Sequence, residues 1–180
     1  MTGEKPCCST GKQHDILILG IGNILLQDEG VGVRVVEGLQ ALLMPGNVEL
    51  LDGGTASQDI VHSLAGNRTL IVVDAVQTDQ KPGTILRFKP DDLALNHAVP
   101  LSVHQMHFLD ALRMAELTPQ GSPQQVVIYG IQPGTIGWGL ELSTAVAAAV
   151  PRVIELILTD IEKLNAPMFL REASFNEQLS

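Results

Sequence analysis

Short, mainly apolar runs recur along the chain at 16–19, 48–51, 70–73 and 125–131. A short run that is apolar on both faces is typical of a parallel strand covered on both sides. A further segment, 84–88, follows the turn Lys81-Pro82-Gly83 and alternates apolar with polar residues. This alternation predicts a strand at an edge of the sheet.

Segments in which apolar residues recur at helical spacing separate these runs, and they cover 29–43, 56–64, 102–114 and 143–164. Ser102 is a suitable N-cap for the third helix, and Pro151 predicts a kink or a restart in the last. Strands that alternate with helices predict one α/β domain with a doubly wound, mostly parallel twisted sheet and helices on both faces. We expect this domain to span 14–165, between a flexible tail at 1–13 and a frayed tail at 166–180.

Composition and charge limit the classes of partner. Hydrophobic residues make up 45% of the 180 residues and charged residues 17%, which is typical of a globular domain. The formal net charge is -9, and so acidic a surface repels phosphate backbones and anionic lipid, so we expect neither nucleic acid nor a membrane as a partner. No apolar stretch reaches the roughly 18 residues of a bilayer span, and the first residues lack the apolar core of a secretory signal. We therefore expect a cytoplasmic protein. We also expect it to be a monomer.

The two cysteines, Cys7 and Cys8, are adjacent and lie in the predicted N-terminal tail. Neighbouring cysteines cannot cross-link a fold, and the chain has no other cysteine with which either could pair. A metal-binding pair is one interpretation, but mobile tail residues are the better one.

Three acids lie at or just beyond the carboxyl ends of the first three predicted strands: Glu29, Asp52 and Asp74. Ligands of an open α/β sheet bind at that edge. Each acid alone is better explained as a solvated loop residue or a cap, and Asp28 with Glu29 would also complement a helix dipole. Three carboxylates at one edge repel one another unless a cation binds or one holds a proton, so together they favour a cation site.

Histidine is the common nitrogen ligand beside such carboxylates. His104 and His107 lie three residues apart in the early turns of the third predicted helix, on nearly the same face. A lone helical histidine is more often structural than a ligand, and spacing does not rank the two.

A nucleotide site is the first alternative, because glycines follow the first strand. The dinucleotide fingerprint G-x-G-x-x-G matches at Gly20 and Gly22, but its third glycine position is occupied by Leu25. The match fails, which argues against a nucleotide-binding enzyme.

Four segments together resemble the [NiFe]-hydrogenase maturation endopeptidase family. They read GIGNILLQDEGVGVR from Gly20 to Arg34, LDGGT at 51–55, VDA at 73–75 and SVHQ at 102–105. The likeness covers roughly residues 15–165, and the first segment is the most specific. The resemblance implies a twisted sheet between helices, in agreement with the pattern of strands and helices.

The resemblance also implies a metal-binding site made of Glu29, Asp74 and His104, which selects His104 over His107. It also makes Asp52 a further candidate catalytic residue. Such enzymes remove a C-terminal extension from the precursor of the hydrogenase large subunit once nickel has been inserted. The nickel would be carried by that precursor, and zinc or cadmium could occupy the site in vitro.

No Ser–His–Asp or Cys–His arrangement is apparent in the sequence. Attack by water, with metal polarisation and a carboxylate base, is the chemistry that these residues could support. Asp28 and Asp52 are the candidate bases that would not be ligands. The alternative is a nickel-binding checkpoint or chaperone that recognises the precursor without cutting it.

Overall fold

The computed structural model describes residues 15–55, 61–64, 66, 68–90, 92, 103–119 and 121–166, without the side chains of His62 and residues 103–107. The predicted N-terminal tail with its two cysteines, and nearly all of the predicted C-terminal tail, lie outside these residues. Within them, no helix is long and apolar enough to cross a bilayer.

Five strands form one sheet in the order β2-β1-β3-β5-β4. Their bounds are β1 Ile16–Ile21, β2 Val48–Gly54, β3 Thr69–Ala75, β4 Ile85–Phe88 and β5 Gln125–Ile131. The pairings of β1 with β2, β1 with β3 and β3 with β5 are parallel, and β4 is an antiparallel edge strand on β5. The predicted mostly parallel sheet and its edge strand are confirmed.

The helices are α1 Val31–Gln40, α2 Val61–Leu64, α3 Val103–Glu116 and α4 Thr144–Asn165, and a 3-10 turn over Gln27–Gly30 precedes α1. The prediction of one helix over 29–43 was therefore wrong at both ends. Glu29 belongs to the 3-10 turn, and Leu43 is fully exposed beyond the end of α1. The predicted restart at Pro151 is also wrong, since α4 continues through that residue. The predicted cap Ser102 lies outside the described residues.

Helices cover both faces of the sheet. Alternate strand side chains such as Ile18, Ile71 and Val127 form one buried cluster with α1 and α4. Their neighbours, including Leu19 and Val72, form the other cluster with α2 and α3. Because β1 and β3 bury both sets, their sequences are largely apolar, and the doubly wound architecture is confirmed.

Glycines let α1 lie unusually close to the sheet. A Cβ atom at Gly32 would overlap the carbonyl oxygens of Ile21 and Val73, and one at Gly20 would overlap the Gly32 carbonyl. Because α1 lies so close to the sheet, the 3-10 turn that precedes α1 contacts β3. The glycines therefore help to position Glu29.

A polar network joins the edge of the sheet to α4. The hydroxyl of Tyr129 donates a 2.8 Å hydrogen bond to Oδ2 of Asp160, and Arg87 donates to the same oxygen at 2.9 Å. Arg87 also donates to the Tyr129 hydroxyl at 3.3 Å. Burial, together with the hydrogen bond to Asp160, raises the pKa of Tyr129 to about 12.

Replacing Tyr129 with phenylalanine should therefore lower the free energy of unfolding by about 1 kcal/mol near neutral pH, because a buried hydrogen bond is lost. The folded-state pKa lies above the unfolded value of about 10, so the tyrosine's contribution is complete below about pH 10 and is lost as pH rises towards about 12. Urea unfolding at about pH 9 and about pH 11 should show a gap between variant and wild type that narrows at the higher pH. Tyr129 is the one tyrosine of the chain, so tyrosinate absorbance checks its pKa directly, and ionisation of the folded protein near pH 10 would contradict the account.

Candidate functional site

The strand order creates a crevice at the carboxyl ends of β1 and β3. After β1 the chain continues to β2, which lies on one side of β1 in the sheet. Strand β3 lies on the other side of β1. Loops that leave neighbouring parallel strands in opposite directions open a crevice between them, which is where open α/β sheets bind ligands. The loop from Gly22 to the 3-10 turn lies at this point. Gly22 has a φ of 140°, and a Cβ there would overlap the carbonyl oxygen of Glu29.

Glu29 and Asp74 lie on two elements that contact each other at this crevice. Asp74 is the penultimate residue of β3 and is 2% exposed. Glu29 lies in the 3-10 turn that packs against β3. Oε2 of Glu29 and Oδ2 of Asp74 are both buried from solvent. Two of the predicted site residues thus lie on elements that contact each other.

Asp52 lies at the same edge of the sheet but is exposed. It is part of β2, where it pairs with Gly20 of β1, so β1 separates it from β3. Its Oδ1 accepts a 2.8 Å hydrogen bond from the backbone N–H of Gly54. The turn-capping interpretation of Asp52 is therefore confirmed, and its tentative catalytic role stays a prediction.

His104 lies in the first turn of α3, and its side chain is outside the described part of the structure. Helix α3 ends shortly before the start of β5 and spans about 20 Å, close to the length of a seven-residue strand. It packs across the sheet through Phe108 and Leu112. Its first turn therefore lies towards the carboxyl edge that carries Glu29 and Asp74, and so does His107 in the next turn.

The carboxylate of Asp28 accepts four hydrogen bonds, which the sequence did not reveal. Its side chain is fully buried. Oδ2 accepts hydrogen bonds from the backbone N–H groups of Gly134 and Thr135 at 2.8 Å each and from the Ser143 hydroxyl at 2.7 Å. Oδ1 accepts one from the Ser143 N–H at 2.7 Å. Asp28 thus ties the 3-10 turn to the segment that connects β5 with α4.

These hydrogen bonds also fix the charge of Asp28. Burial alone would raise its pKa, but the donors Thr135, Ser143 and Gly134 outweigh that effect and hold the pKa below its usual value. A carboxylate stabilised in its ionised form by four donors is a poor proton acceptor. Asp28 is therefore a structural residue and not one of the candidate bases.

A cleft of about 320 Å³ opens beside the crevice. Its walls come from the loop after β1 and from the end of β2, and it is lined by Gly22, Asn23, Ile24, Leu25, Val33, Asp52, Gly54 and Thr55. The cleft combines an apolar wall at Ile24 and Leu25 with the exposed carboxylate of Asp52. It can take a side chain or a short piece of extended peptide.

Among the side chains that the structure describes, no group of three His, Cys, Asp or Glu residues is arranged to hold a metal ion. Those side chains include Glu29 and Asp74 but not His104. The donor set itself, two carboxylates and one imidazole, suits a divalent transition metal. The three-ligand site therefore stays a prediction.

Comparisons with known proteins agree with one another. A family model described as hydrogenase maturation protease matches residues 33–160. The hydrogenase 2 maturation protease of Escherichia coli K12 is 32% identical over 160 residues, which are 88% of this chain and 97% of that protein. The solved structure of the hydrogenase-maturating endopeptidase HybD from E. coli has a TM-score of 0.76 at 32% identity and covers 83% of this chain and 93% of its own.

A structure from an archaeon gives the same result. The [NiFe] hydrogenase maturation protease HybD from Thermococcus kodakarensis has a TM-score of 0.67 at 25% identity, and the match covers 80% of this chain and 97% of that one. The relatives thus extend over most of the α/β domain, and the family match covers the part of it from Val33 onwards. The chain belongs to the hydrogenase maturation protease family, and it is a peptidase.

Proposed function

We propose that this chain removes the C-terminal extension of a [NiFe]-hydrogenase large-subunit precursor after nickel insertion, and that Glu29, Asp74 and His104 recognise the nickel. The observation that supports the proposal is the contact between the 3-10 turn, which contains Glu29, and β3, which contains Asp74. We place this activity in the cytoplasm and assign it to a monomer.

The nickel in this proposal belongs to the substrate. Two carboxylates with buried oxygens raise each other's energy through like-charge repulsion and desolvation, and a divalent cation relieves both costs. Imidazole suits nickel better than carboxylate alone, which gives His104 its role. The site would thus favour a precursor that already carries the metal over one that does not, and zinc or cadmium would be stand-ins for it in vitro.

The proposed reaction is attack on the peptide carbonyl by water, with a carboxylate as the base. Glu29 and Asp74, as ligands, would be poor bases, and Asp28 is held ionised by its four donors. Asp52 is an exposed carboxylate at the same edge and lines the cleft. We therefore assign the role of base to Asp52.

The test uses the purified large-subunit precursor of the hydrogenase encoded by the same organism, prepared with and without nickel. The mass of each product is followed after incubation with the wild-type chain. We expect the nickel-loaded precursor to lose its extension and the nickel-free precursor to stay intact. Equal cleavage of the two precursors would show that the site does not distinguish the nickel-loaded form from the nickel-free form. Stable binding of the loaded precursor without any loss of mass would instead support the non-cleaving checkpoint.

A further inference from the structure

Two loops beside the crevice present a group of large apolar side chains to solvent. The first loop follows β1 and contributes Ile24 and Leu25, and the second precedes α4 and contributes Ile136, Trp138 and Leu140. We call these five residues the apolar strip. Their exposed fractions are 36% and 49% in the first loop and 53%, 86% and 55% in the second. A group of exposed apolar side chains on one surface marks an interaction site.

The two loops are joined through their backbones. Leu26 and Gly139 form a parallel bridge. The N–H of Gln27 donates to the Gly139 carbonyl at 3.0 Å, and the N–H of Gly139 donates to the Leu25 carbonyl at 3.0 Å. The side chains of the apolar strip therefore come from adjacent backbones that cannot separate without breaking these bonds.

The side chains of Asp28 and Arg34 also hold the second loop in place. Asp28 binds the backbone of Gly134 and Thr135 directly before Ile136. Arg34 of α1 donates a 3.1 Å hydrogen bond to the carbonyl of Leu140. A surface already fixed before binding loses little conformational entropy when a partner covers it. The apolar strip thus has the rigidity of a docking surface.

The apolar strip is continuous with the cleft. Ile24 and Leu25 belong to both, and Asp52 lines the same cleft. Glu29 follows the first loop by four residues. A polypeptide that reached the crevice through the cleft would therefore cover the first loop and could extend onto Trp138.

Charge around the apolar strip indicates the chemistry of the partner. Glu141 is exposed directly after Leu140, and Asp52 is exposed in the lining of the cleft to which Ile24 and Leu25 belong. The whole chain has a net charge of -9. A partner with an apolar patch flanked by basic residues complements this surface.

We propose that the apolar strip, with Trp138 as its anchor, docks an apolar and basic surface of the hydrogenase large-subunit precursor next to the bond that is cut. This inference rests on the proposed function. A large aromatic side chain in a preformed surface is the residue type that contributes most to protein–protein affinity. Docking here would hold the precursor while its nickel and its extension lie at the crevice.

Steady-state processing of the nickel-loaded precursor by Trp138→Ser tests the proposal. We expect KM to rise about tenfold or more, with kcat close to that of the wild type, because the lost contacts act equally on substrate and transition state. Leu117→Ser is the matched control. Leu117 is 87% exposed, against 86% for Trp138, and lies beyond the end of α3 near the opposite edge of the sheet. Its KM should not change.

Ile136→Ser is a second variant of the apolar strip, and its KM should rise in the same direction. Thermal melting of all three variants confirms that each is folded. Unchanged KM in both Trp138→Ser and Ile136→Ser would overturn the proposal. So would sedimentation showing a wild-type dimer that Trp138→Ser converts to a monomer, because the apolar strip would then bind a second copy of the chain. If the wild type did not process the precursor at all, that result would contradict the proposed function, on which the docking proposal rests.

Discussion

The variant Asp74→Asn is expected to lose processing of the nickel-loaded precursor while it keeps its fold. Substitution of a residue that only orients a metal ligand lowers metal affinity or activity by about 10- to 100-fold. Substitution of a ligand itself should therefore lower the processing rate by more than about a hundredfold. Asparagine has nearly the same volume and can occupy the buried end of β3. The free energy of unfolding should change by less than about 1 kcal/mol, because removal of a buried charge offsets the contacts that change. Precursor mass and urea unfolding measure the two effects.

Glu29→Gln should behave in the same way, since it changes the other carboxylate of the crevice. The matched control is Glu37→Gln, which removes one charge from an exposed ion pair with Arg34 on α1 and should process normally. Full activity of Asp74→Asn would refute the site, and unfolding of that variant would leave Glu29→Gln as the decisive test.

A separate variant, Asp52→Asn, distinguishes the two roles of Asp52. Asparagine keeps the oxygen that accepts the Gly54 N–H but cannot act as a base. Loss of turnover with a normal thermal midpoint would support the assignment of Asp52 as the base, whereas normal turnover would limit it to the turn.

Asp28→Ala is expected to lower the free energy of unfolding by about 3–5 kcal/mol near neutral pH. The substitution leaves three backbone N–H groups and the Ser143 hydroxyl without their buried acceptor. An unsatisfied buried donor costs about 1–3 kcal/mol, and the small side chain also leaves a cavity. Denaturant unfolding gives the measurement, and Asp110→Ala, which removes an exposed carboxylate paired with Arg113, is the control, with a change below about 0.5 kcal/mol.

The contribution of Asp28 to the free energy of unfolding should decrease as the pH falls. Its pKa is lowered in the folded chain, so its contribution is complete above the ordinary value of about 3.9 and is lost as pH falls through the folded-state pKa. The difference between wild type and Asp28→Ala should therefore shrink between about pH 5 and about pH 2. A difference that stays constant over this range, or one that is under about 1 kcal/mol at pH 7, would contradict the role assigned to these hydrogen bonds.

The fold could be predicted because the central strands β1 and β3 are buried on both faces, which makes their sequences largely apolar. The strand ends were less accurate, since Asp52 and Asp74 remain in register with their neighbours although they are polar. The end of α1 was misplaced because Leu42 and Leu43 continue the apolar spacing, yet they lie beyond the helix and are exposed. The spacing of apolar residues along the sequence does not show whether each of them packs against another helix or strand.

The candidate site could be predicted only in part. The strand ends predict that Glu29 and Asp74 belong to one site, because parallel strands direct their carboxyl ends to one edge, and the elements that contain the two residues contact each other. The choice of His104 over His107 rests on the resemblance of SVHQ to the family segment and stays a prediction. Asp28 was missed because its partners lie 106 to 115 residues away in sequence, and no local spacing reveals a contact of that separation.

That separation also has a consequence for synthesis of the chain. Strand β5 pairs with β3 on one side and β4 on the other, so a nascent chain that ends before residue 125 leaves the edge of β3 open. An open strand edge is prone to pairing with other chains, and domains complete their folding only when the whole unit has emerged. The donors for Asp28 emerge later still, at Gly134, Thr135 and Ser143. The ribosome must therefore release nearly the whole domain before the crevice takes its final shape, and an incomplete chain on the ribosome carries no competent protease.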